Sequence, residues 1–359
     1  MKIAIFIIAC ATVVLEKSIS AENSICTYEY RQHYTKKNPN VFYYTCIYDS
    51  YKENNQINLT GRHHKDHNNS CVQNFDSTFG YMQPLSSFIC ELFQNLKKIR
   101  VTISHLESIN EDAFQKCKDL RFLMLPNNKI RELSENLFLN QSELEYLNLA
   151  LNAINFLPSK VFHPLKKLKQ LYLNDNKIQS INPEWFRCLQ KLTTLSLAFN
   201  QISEVPSKSL QSLKNLTTLW IDRNNLKTLK PDSFVGLQNL KLLSLSSNKI
   251  TDLPVDVFGS LNNLQYLVLN DNKLTTIHSD SFGILNQLIR IDIQNNTITA
   301  IDENLINKLA ITYLDMRNNP CNSFFLESAR DIKSNLTECF VNYQQLKNHS
   351  YNLCSTSLE

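Results

Sequence analysis

The sequence predicts an α/β solenoid, a horseshoe whose concave side is a parallel β-sheet and whose ends are caps that carry disulfides. Three observations carry that expectation. Apolar residues recur every 24 positions from Leu96 to Leu288, with a shortened last unit starting at Ile311, an asparagine column keeps the same spacing, and most of the cysteines lie before or after the periodic region. A fixed repeat of this length marks a stacked array in which each unit buries its apolar face only against its neighbours. Four segments follow from it: a signal peptide over 1–20, a cysteine-containing cap over 21–95, ten repeats over 96–320, and a second cysteine-containing cap over 321–359.

Residues 1–20 read as a secretory signal. Lys2 supplies the positive start, and Ile3 to Leu15 form an apolar run that suits a signal core and is short for a membrane span. No second run of spanning length follows, and the polar end YNLCSTSLE carries no lipid-anchor signal, so the expectation is a secreted, extracellular protein with no membrane span. Charge is nearly balanced, 37 basic against 33 acidic residues, with no basic block that would mark a nucleic-acid partner. Only five glycines occur, which argues against glycine-rich phosphate loops, and no cofactor is expected. Sequons at Asn58, Asn68, Asn140, Asn215, Asn295, Asn335 and Asn348 are expected to include occupied glycosylation sites.

The segment 21–95 lacks the 24-residue frame. It is rich in tyrosine and carries Cys26, Cys46, Cys71 and Cys90. Val41 to Tyr48 is apolar and aromatic enough for a strand. An end coil would otherwise expose its apolar face and unpaired strand edge, so a cap is expected here. Four cysteines allow three pairings. Sequential pairing, Cys26 with Cys46 and Cys71 with Cys90, is preferred, with Cys90 to Cys117 as the alternative. The polar stretch His63-His64-Lys65-Asp66-His67 lacks a complete ligand spacing and reads as a solvated loop rather than a metal site.

From Leu96 the frame is L-x-x-L-x-L-x-x-N-x-[LI]-x-x-[LIV], closing on an aromatic. Alternation over L-x-L predicts a short strand with its leucines turned inward. Successive strands can pair in parallel only if the remaining residues cross the far side. There Phe114, Phe138, Phe162, Phe186, Phe234, Phe258 and Phe282 are expected to stack as a spine. Each asparagine of the column, Asn128 to Asn319, has a side-chain amide that both donates and accepts, so it can satisfy backbone groups where the chain leaves the strand. Only the first unit departs, with Ser104. Cys117 takes a slot filled elsewhere by leucine and is expected to be a buried apolar residue. Cys188 takes the slot of Gly236, nearer the surface. The two lie three coils apart, about 14 Å, too far to bridge.

The strand positions that face outward are free of core duty. They place Phe122, Tyr146, Tyr172, Trp220, Tyr266 and Tyr313 on the concave sheet, with Phe199 and Arg223 beside the asparagine column. Aromatics and arginine dominate binding hot spots, so this face is the candidate protein-binding surface. Generic sheet packing also favours aromatics and is the competing explanation. A glycan at Asn295 would close the C-terminal end of the face and leave the Phe122 to Trp220 region as the better site.

After Asn319-Pro320-Cys321 the chain leaves the frame. Phe324 to Ile332 reads as a helix over the last coil. Pairing Cys321 with Cys339 leaves Cys354 over, and a spare cysteine in a secreted chain points either to an interchain disulfide, and so a disulfide-linked dimer, or to a free thiol.

The repeat pattern resembles that of the leucine-rich repeat family over roughly 225 residues. Within it, the signal, the cysteine-bearing N-terminus, about ten units of 24 residues and the C-terminal cysteine group look like the secreted leucine-rich immune proteins of insects. That resemblance implies a non-enzymatic binder of an extracellular protein or glycan ligand, in innate immune recognition or scaffolding. The chain departs from the resemblance in lacking a long C-terminal coiled coil. The alternative is an extracellular-matrix adhesion protein that uses the same face, although the tight N-terminal cysteine cluster of the small leucine-rich proteoglycans is missing. An enzyme is the least supported class, because no GxSxG, HExxH or paired-carboxylate motif is present.

Overall fold

A computed structural model describes residues 26–35, 38–48, 69–78, 84–283, 285–302, 305 and 313–320. The signal segment, the histidine loop, the C-terminal helix expected at Phe324 to Ile332, and Cys321, Cys339 and Cys354 lie outside those residues. So do Asn58, Asn68, Asn335 and Asn348.

The described chain opens with a hairpin, β1 (Cys26–Thr35) antiparallel to β2 (Asn38–Tyr48). From β2 onward every pairing is parallel. β3 (Asn74–Thr78) joins β2 to β4 (Lys98–Thr102). The short strands β5 (Phe122–Met124), β6 (Tyr146–Asn148), β7 (Gln170–Tyr172) and β8 (Thr194–Ser196) follow. Next come β9 (Thr218–Trp220), β10 (Leu242–Ser244) and β11 (Tyr266–Val268). β12 (Thr276–Ile277) and β14 (Ala300–Ile301) form a small sheet of their own on a crossover. β13 (Arg290–Asp292) and β15 (Tyr313–Asp315) complete the main sheet, which is 13-stranded among the described residues. The crossovers are turns and 3-10 segments such as Pro183–Phe186, with a five-residue α-helix at Phe88–Leu92.

The period of 24 becomes register. Leu123 pairs with Leu147, Leu147 with Leu171 and Leu171 with Leu195, and all four are fully buried. On the far side the phenylalanines stack as the spacing predicts, 6.3 Å from Phe114 to Phe138 and again to Phe162, then 6.0 Å from Phe234 to Phe258. Leu210 fills the gap in that series without exposure.

The asparagine column works as a ladder. The Asn200 amide donates to the carbonyls of Leu173, Leu197 and Ala198 at 2.9, 3.1 and 3.1 Å. Its oxygen accepts from the Ile178 amide at 3.0 Å. Asn176, Asn224, Asn248 and Asn272 repeat the same contacts. Each residue therefore satisfies backbone groups on its own coil and on the preceding one, and each group left unpaired would cost about 1–3 kcal/mol. At the first unit Ser104 serves instead. Its hydroxyl donates to the Thr102 carbonyl, and its amide donates to Asn128 of the next coil.

Two features differ from the sequence-based expectation. The ladder does not begin at Leu96: β3 pairs with β4 at an offset of 24, and Leu85 bridges Ile109 at the same offset. Val72 and Phe75 are buried where Leu96 and Ile99 stand one coil on. This coil escaped the pattern because Ser77 and Cys90 replace the expected apolar and aromatic residues. Cys90 then explains the second difference. It bonds Cys117, with Cα atoms 5.1 Å apart, so the preferred Cys71–Cys90 pairing is replaced by the alternative, and Cys117 is a buried half-cystine rather than a buried thiol. Adjacent coils bring positions 27 residues apart within bonding reach, which sequential pairing ignores. Cys46 is buried and disulfide-bonded, while Cys71 packs half-buried against the core.

Candidate protein-binding face

Pleating turns every second strand residue away from the core. On β5 to β11 the outward pairs are Phe122 and Met124, Tyr146 and Asn148, Gln170 and Tyr172, Thr194 and Ser196, Thr218 and Trp220, Leu242 and Ser244, and Tyr266 and Val268. None of these fourteen residues is Asp, Glu, Lys, Arg or His. At the chain-wide share of 19% charged residues, two or three would be expected. The centre of the sheet is thus a neutral strip across seven strands.

Charge returns at both ends and is paired there. Arg100 lies 3.6 Å from Asp76, Arg290 lies 3.7 Å from Asp292, and Arg317 lies 2.6 Å from Asp315. Burial pushes the Asp292 carboxyl up, and the neighbouring Asp315 charge adds to it. Burial acts the same way on Asp315, but the hydrogen bonds and charge of Arg317, with the Tyr313 hydroxyl, outweigh it and hold that carboxyl below its usual range.

The structure brings the sequence-predicted residues together in groups. Phe122 and Tyr146 lie 6.3 Å apart by ring centroid, and Tyr146 and Tyr172 lie 5.4 Å apart, a continuous aromatic run over three strands. Burial, with the neighbouring Tyr146, pushes the Tyr172 hydroxyl above its ordinary value. Arg223 sits 4.8 Å over the Phe199 ring. Trp220 lies two strands from Tyr172 in the same row. Tyr266 is 40% exposed on β11. Tyr313 stands apart at the C-terminal end, engaged by Arg290 at 4.1 Å and donating to Asp315.

Of a row beside the ladder, sequence reasoning named Phe199 and Arg223 and missed the rest and the backbone they share. The residue before each ladder asparagine has a left-handed backbone, with φ between 52 and 57° at Asn127, Leu151, Asp175, Phe199, Arg223, Ser247, Asp271, Asn295 and Asn318. Asn and Asp suit that conformation, whereas bulky side chains are rare there and strained. Leu151 and Phe199 depart from it and expose 49% and 44% of their surface. The same backbone recurs on all nine coils, so the repeat imposes it, and at Leu151 and Phe199 it sets an apolar side chain exposed beside the neutral strip. Asp222 completes this edge. Burial pushes its carboxyl up, against hydrogen bonds from its own amide and from Ser244.

Of the described sequons, Asn140 and Asn215 lie exposed on crossovers, where their amides donate to the Gln115 and Gln190 carbonyls. Asn295 lies exposed on the left-handed row and donates to Asp271. None stands on β5 to β11. Cys188 is a half-buried free thiol. Among the described residues no helix is long and apolar enough to cross a membrane, and no cluster of metal-ligating side chains occurs.

The family described as Leucine rich repeat matches residues 94–154, 142–202, 190–250, 214–274, 238–288 and 263–320, together running from 94 to 320. No curated protein sequence matches the chain. Among solved structures, the Toll–Spatzle complex of Drosophila, described as a molecular hub in development and innate immunity, is similar with a TM-score of 0.60 at 22% identity. That likeness covers 74% of this chain and 39% of the other. A complex of TLR13 with the RNA ssRNA13 is similar with a TM-score of 0.61 at 24% identity, covering 70% and 40%. The LRIM1/APL1C complex is similar with a TM-score of 0.61 at 20% identity, covering 77% and 54%. These likenesses concern the fold, and the chain spans about two fifths of the length of the first two.

Proposed function

The chain belongs to the leucine-rich repeat family, and from that premise we propose that it is a secreted, non-enzymatic binder that holds an extracellular protein on its concave face, in innate immune recognition or scaffolding. The observation that carries this reading is the neutral strip on β5 to β11, with its aromatic run and the strained, exposed Phe199 at its edge. Uncharged aromatic surface of this extent marks an interaction site. A single-stranded nucleic acid would need cations along its phosphates, and the strip carries none. The immune setting draws support from the Toll–Spatzle and LRIM1/APL1C structures, which share this fold. Glycans at Asn140 and Asn215 would leave the strip clear.

Affinity capture from haemolymph-like fluid, run beside capture from matrix extract, tests the assignment. A specific partner is expected from the fluid, and Tyr172→Ala with Trp220→Ala is expected to weaken it by at least tenfold, as hot-spot truncations of about 1.4 kcal/mol or more do. Unchanged affinity would move the site off the concave face. Capture from matrix extract alone would favour the adhesion role.

A further inference from the structure

Cations that are scattered along the sequence meet on one flank of the wound chain, the turn that leads into each strand. Backbone hydrogen bonds fix the neighbours there. The Glu145 amide donates to the Arg121 carbonyl, Lys169 to Glu145, Thr193 to Lys169, Thr217 to Thr193 and Lys241 to Thr217, all at 2.8 to 2.9 Å. Residues one period apart are therefore adjacent. Over six coils this flank comprises residues 115–121, 139–145, 163–169, 187–193, 211–217 and 235–241. It holds ten Lys or Arg and three Asp or Glu, an excess of seven where the whole chain has four. The opposite flank of the same coils, 127–133, 151–157, 175–181, 199–205, 223–229 and 247–253, holds six and four. The excess thus belongs to one edge and not to the surface at large. Two of its three carboxylates are engaged, Glu143 with Lys167 and Glu145 with Lys169, each at 2.6 Å. The Lys167 hydrogen bond and the charges of Lys167, Arg121 and Lys191 hold the Glu143 carboxyl below its usual range, so cations of three coils surround one carboxylate. Lys166, Lys191 and Lys214, on three consecutive coils, are exposed, and no ion pair engages them among the described residues. Successive coils stand about 4.8 Å apart, so these lysines present positive charge along a line.

Chemistry selects the occupant. No residue of the flank is Phe, Tyr or Trp. A single-stranded nucleic acid is held by stacking on aromatic rings as well as by charge, and a lipid surface by apolar side chains set among its headgroups. A duplex is read by a helix or ribbon laid in its groove, and the flank is built of turns. A sulfated polysaccharide needs only fixed cations for its sulfates and amides for its hydroxyls, and exposed Gln190 and Asn239 supply the latter beside the lysines. We propose that this basic flank, centred on Lys166, Lys191 and Lys214, binds a sulfated polysaccharide chain laid across the coils. The proposal goes beyond the concave-face reading and shares with it only the secreted location. The sequons Asn140 and Asn215 lie on the same flank and bracket the coils of Lys166 and Lys191, so glycans there would border the line of lysines.

Fluorescence anisotropy of a labelled heparin octasaccharide tests it. Saturable binding is expected, weakening as salt is raised. An unsulfated hyaluronan octasaccharide should bind far more weakly. Lys166→Gln with Lys191→Gln and Lys214→Gln should weaken heparin binding by about tenfold or more at an unchanged melting temperature, because three exposed charge pairs are lost. Lys129→Gln with Lys177→Gln and Lys227→Gln removes the same charge from the opposite flank and should leave the affinity within about twofold of wild type. Equal losses in the two triple variants, or no saturable binding by the wild type, overturn the proposal. So does binding that appears only with Asn140→Gln and Asn215→Gln, because the flank is then covered in the native chain. Tighter binding of duplex DNA, single-stranded RNA or phosphatidylserine vesicles than of heparin would overturn the choice of occupant. Partner capture sensitive to Tyr172→Ala and Trp220→Ala does not depend on these lysines, so the concave-face reading stands or falls separately.

Discussion

Phe199 carries conflicting demands. Its backbone is left-handed, which disfavours an aromatic residue by about 1–2 kcal/mol, and its ring, 44% exposed, lies under Arg223, a contact worth about 0.5–1 kcal/mol at an exposed site. Asparagine occupies the same row at Asn127, Asn295 and Asn318. Phe199→Asn is therefore expected to leave thermal stability unchanged or raise it by up to about 1 kcal/mol, while weakening partner binding. A fall in melting temperature with unchanged binding would reverse the assignment, making the ring structural. Asp222, on the neighbouring coil, has an opposite signature. Burial raises its carboxyl, so the folded chain holds that proton more tightly than the unfolded chain does. Its contribution to stability is greatest in acid and is lost as pH rises through the folded value. Urea unfolding should find Asp222→Asn more stable than wild type near neutral pH, with the gain vanishing below the ordinary carboxylate value of about 3.9. A gain that does not change with pH would rule out the buried charge as its cause.

At the scale of elements, each coil contacts only its neighbours, so a local staple has local consequences. The Cys90–Cys117 bond ties the coil of β3 to that of β4 across a sequence separation of 27. Closing a loop of that size is worth about 2–4 kcal/mol. Replacing the pair with Cys90→Ser and Cys117→Ala should therefore raise hydrogen exchange on β3 and β4, with β9 to β11 protected as before. Uniform loss of protection would mean that the array unfolds as one unit. The strands from β4 onward are legible in the residues alone, because the leucine spacing maps one-to-one onto register. The β3 coil is not. Phe75 fills its core slot, but Ser77 and Cys90 break the pattern, and only pairing with β4 reveals it.

For the whole molecule, the arrangement separates frame from face. Leucines, phenylalanines and ladder asparagines hold the coils together, and the outward residues of β5 to β11 gather into one neutral surface bounded by paired charges. A disulfide-linked dimer through Cys354 would present two such surfaces and raise avidity toward a partner with repeated sites. A non-reducing gel should show wild type at twice the monomer mass and Cys354→Ser at the monomer mass. Wild type running as a monomer would end the dimer proposal.

The order of residues along the chain is enough to dictate the solenoid, the parallel sheet, the aromatic spine, the asparagine ladder and which side chains face outward. Each of these follows from a period of 24 combined with the two-residue alternation of a strand, and both are visible in one dimension. Winding in three dimensions was needed to set the Cys90–Cys117 bond, the extra N-terminal coil, and the left-handed row with its strained Phe199. These depend on what lies one coil away. Residues 24 to 27 positions apart become neighbours only when the chain has wound.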